Sequence, residues 1–337
     1  MLPISTTRPR ALFAMGRRHR DTMFPPAAVP RLSTYVDIDP AHVAEDFTDE
    51  PALEDVEILI TSWGCPVLDE EVLARAPALK AVVHAAGSVK HHVTQACWDR
   101  GLVVSSAAAA NAVPVAEYTV AAILFANKRV LEIGGLYREH RSPLDWSRHF
   151  PGFGNYHRTV GVVGASLVGR KVLELLRPYD IDVLLADPHV STLRAAAMGV
   201  RRVELDELVS ASDVVSLHAP ALPETRHLMD ARRLSLMRDG ATLINTARGS
   251  LVDTEALTAE AVSGRIHAVI DVTEPEVLPA GSPLYSLPNV LLTPHIAGSL
   301  GGELHRITGS ALDEIERYCA GEPFAHAVHH AALATSA

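Results

Sequence analysis

The chain of 337 residues has few cysteines, few aromatic residues and no excess of positive charge. Its three cysteines, Cys65, Cys97 and Cys319, lie far apart and lack the spacing of a zinc site. We therefore expect reduced thiols and no metal centre. The formal net charge of −10 argues against nucleic acid and anionic membrane surfaces as partners. An anionic substrate would need positive charge supplied locally by its own site.

Long apolar runs are also missing. No run approaches the roughly 20 residues that span a bilayer. The apolar segment Ala11–Met15 is too short for the core of a signal peptide, so we expect a cytoplasmic protein. Hydrophobic residues make up 48% of the chain and charged residues 21%, which is typical of a globular protein long enough for two domains.

The most informative segment that is present is Thr159–Arg170. Three valines predict a buried strand, and a glycine-rich turn then leads into a helical pattern. A helix N-terminus after such a turn offers free N–H groups and the positive end of a dipole to a pyrophosphate. The turn reads Gly164, Ala165, Ser166, Leu167, Val168, Gly169, so a serine replaces the second glycine of the usual fingerprint and should weaken close backbone approach. Asp187 ends the next predicted strand, where a carboxylate would bind an adenosine ribose.

Short apolar strands alternate with helical patterns in two series, which predicts an α/β protein with parallel sheets. The first series has a helical pattern at Leu68–Ala76 and an irregular segment at Arg17–Pro30. Its predicted strands are Ala11–Gly16, Val56–Thr61, Leu79–His84 and Val103–Ser105. The second series matches a complete dinucleotide-binding sheet. Its six predicted strands are Val160–Val163, Asp182–Ala186, Val214–Leu217, Ala241–Asn245, Ala268–Ile270 and Val290–Leu292.

The segments that join the two series have their own patterns. Val113–Asn127 predicts a strong helix with Pro114 in its first turn, which could continue towards Glu139 as one rod between two domains. Ser142–His157 predicts a loop or arm. Gly298, Gly301 and Gly302 precede a last helix predicted at Ser310–Tyr318.

Reactive side chains follow the strands of the second series. Parallel sheets bind ligands beyond the carboxyl ends of their strands, and a ketone reduced by hydride needs an acid there. His295 is the candidate acid, Glu276 the carboxylate that stabilises its imidazolium, and Arg248 a clamp for a substrate carboxylate. Nicotinamide would carry the hydride. Structural alternatives stay open: Arg248 could cap a helix, Asp271 could hold a loop and His218 could bond a turn.

Several ordered motifs resemble the D-isomer-specific 2-hydroxyacid dehydrogenases, over about Val56 to Ala320. The resemblance is carried by Asn111–Glu117, Leu217–Pro220, Ile244–Asp253, Asp271–Glu276 and Leu292–Gly298. It implies an NAD-dependent enzyme that interconverts a D-2-hydroxy acid and a 2-oxo acid. It also implies a flavodoxin-like substrate domain (1–110 and 298–337) into which an NAD-binding Rossmann domain (111–297) is inserted, and a homodimer formed through the NAD-binding domain.

The resemblance also implies roles for individual residues. Arg248, Glu276 and His295 would be catalytic, and the backbone N–H groups of Gly87 and Ser88 would bind the substrate carboxylate together with Arg248 and His295. Asp187 would favour NAD over NADP by repelling a 2′-phosphate. The cofactor contacts would be Gly164, Ser166, Leu167, Val168, Gly169, Asp187, His218, Thr246, Ala247, Arg248, Asp271, His295 and Gly298.

Other functions and one departure remain to be weighed. Lys90 stands where the family usually has an acid, so it either extends the positive site towards a second substrate anion or is a solvated surface residue. A formate dehydrogenase-like enzyme of the related branch would carry a glutamine in place of Glu276. An NAD-sensing corepressor-like binding protein could keep the same three residues. The substrate side chain and the direction of the reaction do not follow from the sequence.

Overall fold

The structure is a computed structural model that describes residues 8–333. It has two compact units, residues 8–111 with 299–333 and residues 112–298. Each unit holds one parallel sheet, which confirms the predicted α/β class. The assignment of substrate and cofactor roles to the two units stays a prediction.

The strands, in chain order, are β1 Ala11–Ala14, β2 Val43–Ala44, β3 Ile58–Thr61, β4 Ala81–His84, β5 Val103–Ser106, β6 Arg158–Val163, β7 Ile181–Ala186, β8 Arg201–Arg202, β9 Val214–Leu217, β10 Thr242–Asn245, β11 His267–Ile270 and β12 Val290–Leu292. The helices are α1 Arg17–Met23, α2 Val29–Tyr35, α3 Glu70–Arg75, α4 Gln95–Asp99, α5 Ala108–Asn127, α6 Val130–His140, α7 Trp146–His149, α8 Leu167–Leu176, α9 Thr192–Ala197, α10 Leu205–Ala211, α11 Ala231–Leu236, α12 Thr254–Val262, α13 Leu304–Cys319 and α14 His330–Leu333.

The first unit has a five-stranded sheet in the order β2-β1-β3-β4-β5. Every residue of β3 and β4 is buried, because helices cover both faces of the sheet. Arg17–Pro30, predicted to be irregular, instead contributes α1 and the start of α2. Pro25 and Pro26 lie between the two helices, and Pro30 lies in the first turn of α2, where a missing N–H is tolerated.

The second unit has a seven-stranded sheet in the order β12-β11-β10-β9-β6-β7-β8. The sequence predicted six of these strands. It missed β8 because two arginines paired with the end of β7 leave no apolar signal. Chain order reverses on either side of β6, so the glycine turn that follows β6 lies at the switch point where such sheets bind ligands.

The predicted single rod is wrong. Helix α5 begins at Ala108, five residues before the prediction, because the alanines at 108–110 have a high helix propensity, and Pro114 lies inside it rather than in its first turn. Arg129 takes a left-handed conformation (φ 54°) after α5 ends, and α6 begins anew at Val130. The arm at Ser142–His157 contains the single helical turn α7. Helix α13 begins six residues before the predicted Ser310.

Helix α5 also corrects the expectation about apolar runs. With 20 residues and a mean hydropathy of 1.4 it is long and apolar enough to cross a membrane by length and composition alone, and 44% of it is buried in the protein. Core helices of soluble proteins can be equally long and apolar, so this helix by itself is not evidence of a membrane span.

Candidate active site

The glycine turn between β6 and α8 depends on two of its glycines. Gly164 has φ 96°, and a Cβ there would lie 2.7 Å from the backbone nitrogen of Ala219. A Cβ on Gly169 would lie 2.1 Å from the carbonyl oxygen of Gly164. Any side chain at either position would therefore push the turn away from β9 or from the start of α8.

Ser166 has a structural reason to replace the middle glycine. It is the N-cap of α8, and its Oγ accepts a hydrogen bond from the Gly169 nitrogen at 3.2 Å. A serine cap satisfies one of the free N–H groups that begin a helix. Leu167 follows with a side chain that is more than half exposed, so the first residues of α8 face open space.

Asp187 lies at the carboxyl end of β7 and fixes the turn. Its Oδ2 accepts from the Ala165 nitrogen and its Oδ1 from the His189 nitrogen, both at 2.7 Å. A carboxylate has about four acceptor sites, so two ribose hydroxyls still find acceptors on it. The turn and its carboxylate therefore fit the dinucleotide that the sequence predicts.

His218 is buried beneath this turn. Its backbone nitrogen donates to the Val163 carbonyl, and its Nε2 lies 2.9 Å from Ser216 Oγ. Burial lowers the pKa of His218 to about 3, so the ring is neutral at physiological pH. Among the described residues its buried Nδ1 has no hydrogen-bond partner. The ring therefore bonds strand β9 rather than the turn, and contact of His218 with a cofactor stays a prediction.

Arg248 follows β10 in a turn held by Asn245. The Asn245 side chain accepts from the Ala247 nitrogen at 3.1 Å and donates to the Arg248 carbonyl at 2.9 Å. The sequence reading missed Asn245, although an amide side chain at a strand end is a common signal of such a turn. The half-buried Arg248 guanidinium donates to the Ala247 carbonyl, and burial lowers its pKa while the charge of Glu276 opposes that shift.

Thr246 lies buried in the same turn, with its hydroxyl 2.9 Å from that of Thr119 on α5. Because Thr119 donates its only hydroxyl hydrogen to the Val115 carbonyl, Thr246 is the donor of this pair.

Gly249 brings two loops together. A Cβ at this position would lie 2.1 Å from the backbone of Thr273, so only glycine allows the loop after β10 to approach the loop after β11. The first loop carries Arg248 and the second carries Glu276. The structure thus brings the predicted clamp close to the predicted carboxylate.

His295 pairs with Glu276. Its Nδ1 lies 2.7 Å from Glu276 Oε1, and both side chains are more than half exposed. With Nδ1 bonded to the carboxylate, Nε2 is the nitrogen that can exchange a proton with a ligand. His295 has φ 55°, a left-handed conformation that is uncommon for this residue and needs support from its surroundings.

Asp271 supplies that support. Its buried carboxylate accepts from Thr293 Oγ1 at 2.6 Å and from the backbone nitrogens of Ile296 and Ala297 at 2.8 and 2.9 Å. Its carbonyl accepts from the His295 nitrogen at 2.8 Å. Tyr118, which the sequence reading did not single out, bonds Thr293 from α5 at 2.9 Å. Asp271 therefore holds the loop that bears His295, and its contact with a cofactor stays a prediction.

The remaining predicted residues lie at less informative places. Gly87 and Ser88 lie half-buried in the loop that follows β4, and Lys90 in the same loop is exposed. Gly298 is half-buried at the end of the second unit, and Val168 lies in the first turn of α8. Within residues 8–333 no group of three potential metal ligands is found, and the three cysteines are free thiols.

Comparison with known proteins identifies the family. Residues 120–297 match the family model described as "D-isomer specific 2-hydroxyacid dehydrogenase, NAD binding domain". The chain is 34% identical over 259 residues to D-3-phosphoglycerate dehydrogenase of Mycobacterium bovis, covering 76% of this chain and 48% of that protein. It is 34% identical over 235 residues to glyoxylate reductase of Thermofilum pendens, covering 69% of each chain.

Comparison with solved structures supports the same family. D-lactate dehydrogenase from Aquifex aeolicus, complexed with NAD and lactic acid, superposes with a TM-score of 0.71 and 27% identity over 93% of this chain and 96% of that one. The chain spans about half the length of the first phosphoglycerate dehydrogenases that it matches. The chain belongs to the D-isomer-specific 2-hydroxyacid dehydrogenases, and its residues 120–297 match the NAD-binding domain of that family.

Proposed function

We propose that the protein is an NAD-dependent oxidoreductase that interconverts a D-2-hydroxy acid and a 2-oxo acid. The observation that carries this proposal is the hydrogen-bonded pair of His295 and Glu276, 2.7 Å apart and open to solvent, beside the half-buried Arg248. An acid, its carboxylate partner and a guanidinium are the groups that reduction of a 2-oxo acid requires.

Each residue has one task in this proposal. Arg248 binds the substrate carboxylate through two parallel hydrogen bonds and polarises the neighbouring carbonyl. His295 Nε2 donates a proton to the alkoxide oxygen as it forms, and in the reverse direction accepts it from the hydroxyl group. Glu276 orients the imidazole through its hydrogen bond with Nδ1. Nicotinamide, when bound, supplies or accepts the hydride.

The glycine turn would hold the cofactor. The backbone of Leu167 and Val168 at the start of α8 would bind the pyrophosphate, and Asp187 the adenosine ribose. A carboxylate at this place disfavours a 2′-phosphate, so we propose NAD rather than NADP. Gly87 and Ser88 would bind the substrate carboxylate through their N–H groups. The cytoplasmic location stays a prediction.

The second unit also supports the proposed homodimer. Helices α5 and α6 leave large apolar side chains exposed, among them Phe125 at 59% and Tyr137 at 61%. An apolar groove lined by Phe125, Leu131 and Leu291 lies on the same side. A second copy of this chain is the occupant that we propose. A Phe125→Glu variant should convert a dimer into a monomer in light scattering, and a monomeric wild type would contradict the proposal.

A spectrophotometric assay tests the enzymatic proposal. NADH absorbance is followed with glyoxylate, hydroxypyruvate, pyruvate, phenylpyruvate and a phosphorylated 2-oxo acid. Oxidation of NADH with at least one of them is expected. NADH binding without turnover of any 2-oxo acid would contradict the proposal and would favour a binding protein.

A further inference from the structure

A pair of buried histidines lies at the carboxyl edge of the first unit's sheet. His84 is the last residue of β4, and its Cα partner in the neighbouring strand is Thr61, the last residue of β3. His92 lies a few residues further on, and the two imidazole centroids are 4.6 Å apart. Thr61 is fully buried, and each histidine is only 3% exposed. The proposed reaction uses none of these three side chains.

The threonine hydroxyl connects the two rings. Thr61 Oγ1 lies 2.9 Å from His84 Nδ1 and 3.3 Å from His92 Nε2. A hydroxyl has one hydrogen and two acceptor sites, so Thr61 donates to at most one of the two rings. The three side chains therefore form one hydrogen-bond chain, and the ring that receives the Thr61 hydrogen sets its direction.

The loop that follows β4 sets that direction. A hydrogen bond with the backbone of Ser88 raises the pKa of His84, against the larger lowering by burial. A ring N–H that donates to a carbonyl has this effect. His84 then carries its hydrogen on Nε2 and accepts from Thr61 at Nδ1. Thr61 in turn accepts from Nε2–H of His92. The chain runs from His92 through Thr61 and His84 to Ser88.

Both histidines must be neutral for this order to hold. Burial lowers the pKa of His84 well below its ordinary value, and the neighbouring His92 and His91 add to the shift. Burial and His91 lower the pKa of His92 to about 4. An added proton on His84 Nδ1 would remove the acceptor of the hydrogen that Thr61 donates to that nitrogen.

Backbone hydrogen bonds hold the two ends of the loop that follows β4. Ala85 N donates to the Thr61 carbonyl at 2.7 Å, and Ala107 N donates to the carbonyls of His84 and Ala86, both at 3.0 Å. At the far end, His92 N donates to the Val89 carbonyl at 3.2 Å. Gly87 and Ser88 lie between these anchors, and His84 and His92, which Thr61 connects, lie at the two ends of the segment that contains them.

We propose that His92, Thr61 and His84 are positioning residues that hold the loop of Gly87 and Ser88 in the conformation in which its N–H groups bind the substrate carboxylate. This inference rests on the proposed function. The positioning residues touch no substrate, since they lie buried beneath the loop. Their effect should therefore appear in substrate affinity and in the order of the loop, rather than in cofactor binding.

The first test removes the hydroxyl and then restores it. Thr61→Val keeps the shape of the side chain but breaks both hydrogen bonds, and Thr61→Ser keeps the hydroxyl. We expect Thr61→Val to raise KM for the 2-oxo acid about tenfold with kcat changed less than about threefold, which corresponds to the loss of one buried hydrogen bond. Thr61→Ser should restore KM to within about twofold of the wild type.

A matched control separates positioning from general stability. Thr308→Val removes another buried threonine hydroxyl of the same unit, one that lies within hydrogen-bond distance of the carbonyls of Met23 and Leu304. It should lower the melting temperature as Thr61→Val does, but leave KM unchanged. Equal KM values for Thr61→Val and the wild type, or an equal rise in KM for Thr308→Val, would overturn the proposal.

The second test does not depend on activity. Nitrogen-15 NMR of the imidazoles reports the tautomer and charge of each histidine. We expect His84 and His92 to be neutral with the hydrogen on Nε2, and the Gly87 and Ser88 amide signals to shift in Thr61→Val but not in Thr61→Ser. A hydrogen on Nδ1 of His84, or unmoved loop amides in Thr61→Val, would overturn the proposal. A wild type that orders its loop in this way but turns over no 2-oxo acid would contradict the proposed function alone.

Discussion

Histidines stand at the carboxyl ends of strands in both units, and the two sites differ in what surrounds them. His84 and His92 are buried, lie beside each other and have a threonine hydroxyl as their shared partner. His295 is half exposed, and its partner is the carboxylate of Glu276. A buried imidazole without a carboxylate stays neutral and serves as a fixed donor and acceptor, whereas an exposed one paired with a carboxylate can exchange protons. The partner and the solvent, rather than the residue type or the strand end, decide the role.

Replacing the exposed His295 should reduce activity more than any other change considered for the two histidine sites. His295→Ala removes the proposed acid, so kcat should fall by about 10²–10⁴-fold, far more than NADH affinity changes. Steady-state kinetics and a fluorescence titration with NADH measure the two quantities. The exposed His305→Ala on α13 is the matched control and should keep wild-type kcat. A kcat of His295→Ala within about threefold of the wild type would remove the distinction between the two sites.

The next effect concerns the clamp beside His295. Arg248→Lys keeps the positive charge but loses the planar pair of donors, so KM for the 2-oxo acid should rise by about 100-fold. NADH affinity should change far less than KM in the same titration. An unchanged KM would show that Arg248 serves only its turn, where it bonds the Ala247 carbonyl.

The buried histidines should instead control stability against pH. Burial lowers the pKa of His92 to about 4 and of His218 to about 3. Between these values and the ordinary histidine pKa of about 6.5, each ring binds a proton in the unfolded chain but not in the folded one. The free energy of unfolding is therefore unaffected by these groups above about pH 6.5 and falls below it, by at most about 1.4 kcal/mol per pH unit for each group. Urea unfolding at about pH 7 and about pH 5.5 should show this loss.

A variant tests the origin of that loss. His92→Gln keeps a donor for Thr61 but cannot be protonated, so the dependence of the unfolding free energy on pH should become shallower. An identical dependence in the wild type and the variant would show that His92 is not held neutral in the folded protein.

The smallest effect is expected at the cap of α8. Ser166→Ala removes the hydroxyl that accepts from the Gly169 nitrogen, and should lower the unfolding free energy by about 1 kcal/mol. NADH affinity should change by less than about twofold, because the backbone of the turn stays in place. A large loss of NADH affinity would give the Ser166 hydroxyl a part in cofactor binding that its capping bond does not explain.

The sequence predicted strands best where a short apolar run is followed directly by a polar residue or a glycine. The strands β6, β7, β9, β10, β11 and β12 were all predicted within two residues, because each is a largely apolar run that is followed by a glycine, aspartate, histidine or threonine. The prediction failed at β8, because its two arginines have no apolar pattern. It also failed at the end of α5, because the break depends on the left-handed backbone of Arg129, which the sequence pattern does not predict.

The chemistry of individual side chains was less accessible. Arg248, Glu276 and His295 were singled out by their place after strands and by the family resemblance. The tasks of Asp271, Asn245 and Tyr118 in holding those loops depend on hydrogen bonds that only the fold forms. The same holds for His84 and His92, since only strand pairing brings Thr61 between their rings.

Transfer of a labelled hydride tests the central claim most directly. NADH deuterated at the transferring position is mixed with each 2-oxo acid, and the product is separated by chirality and analysed by mass spectrometry. The account predicts deuterium at C2 of the D-2-hydroxy acid with the wild type, and its near-complete loss with His295→Ala. Label in the L-enantiomer, or no labelled product from any acid while NADH binds, would contradict it.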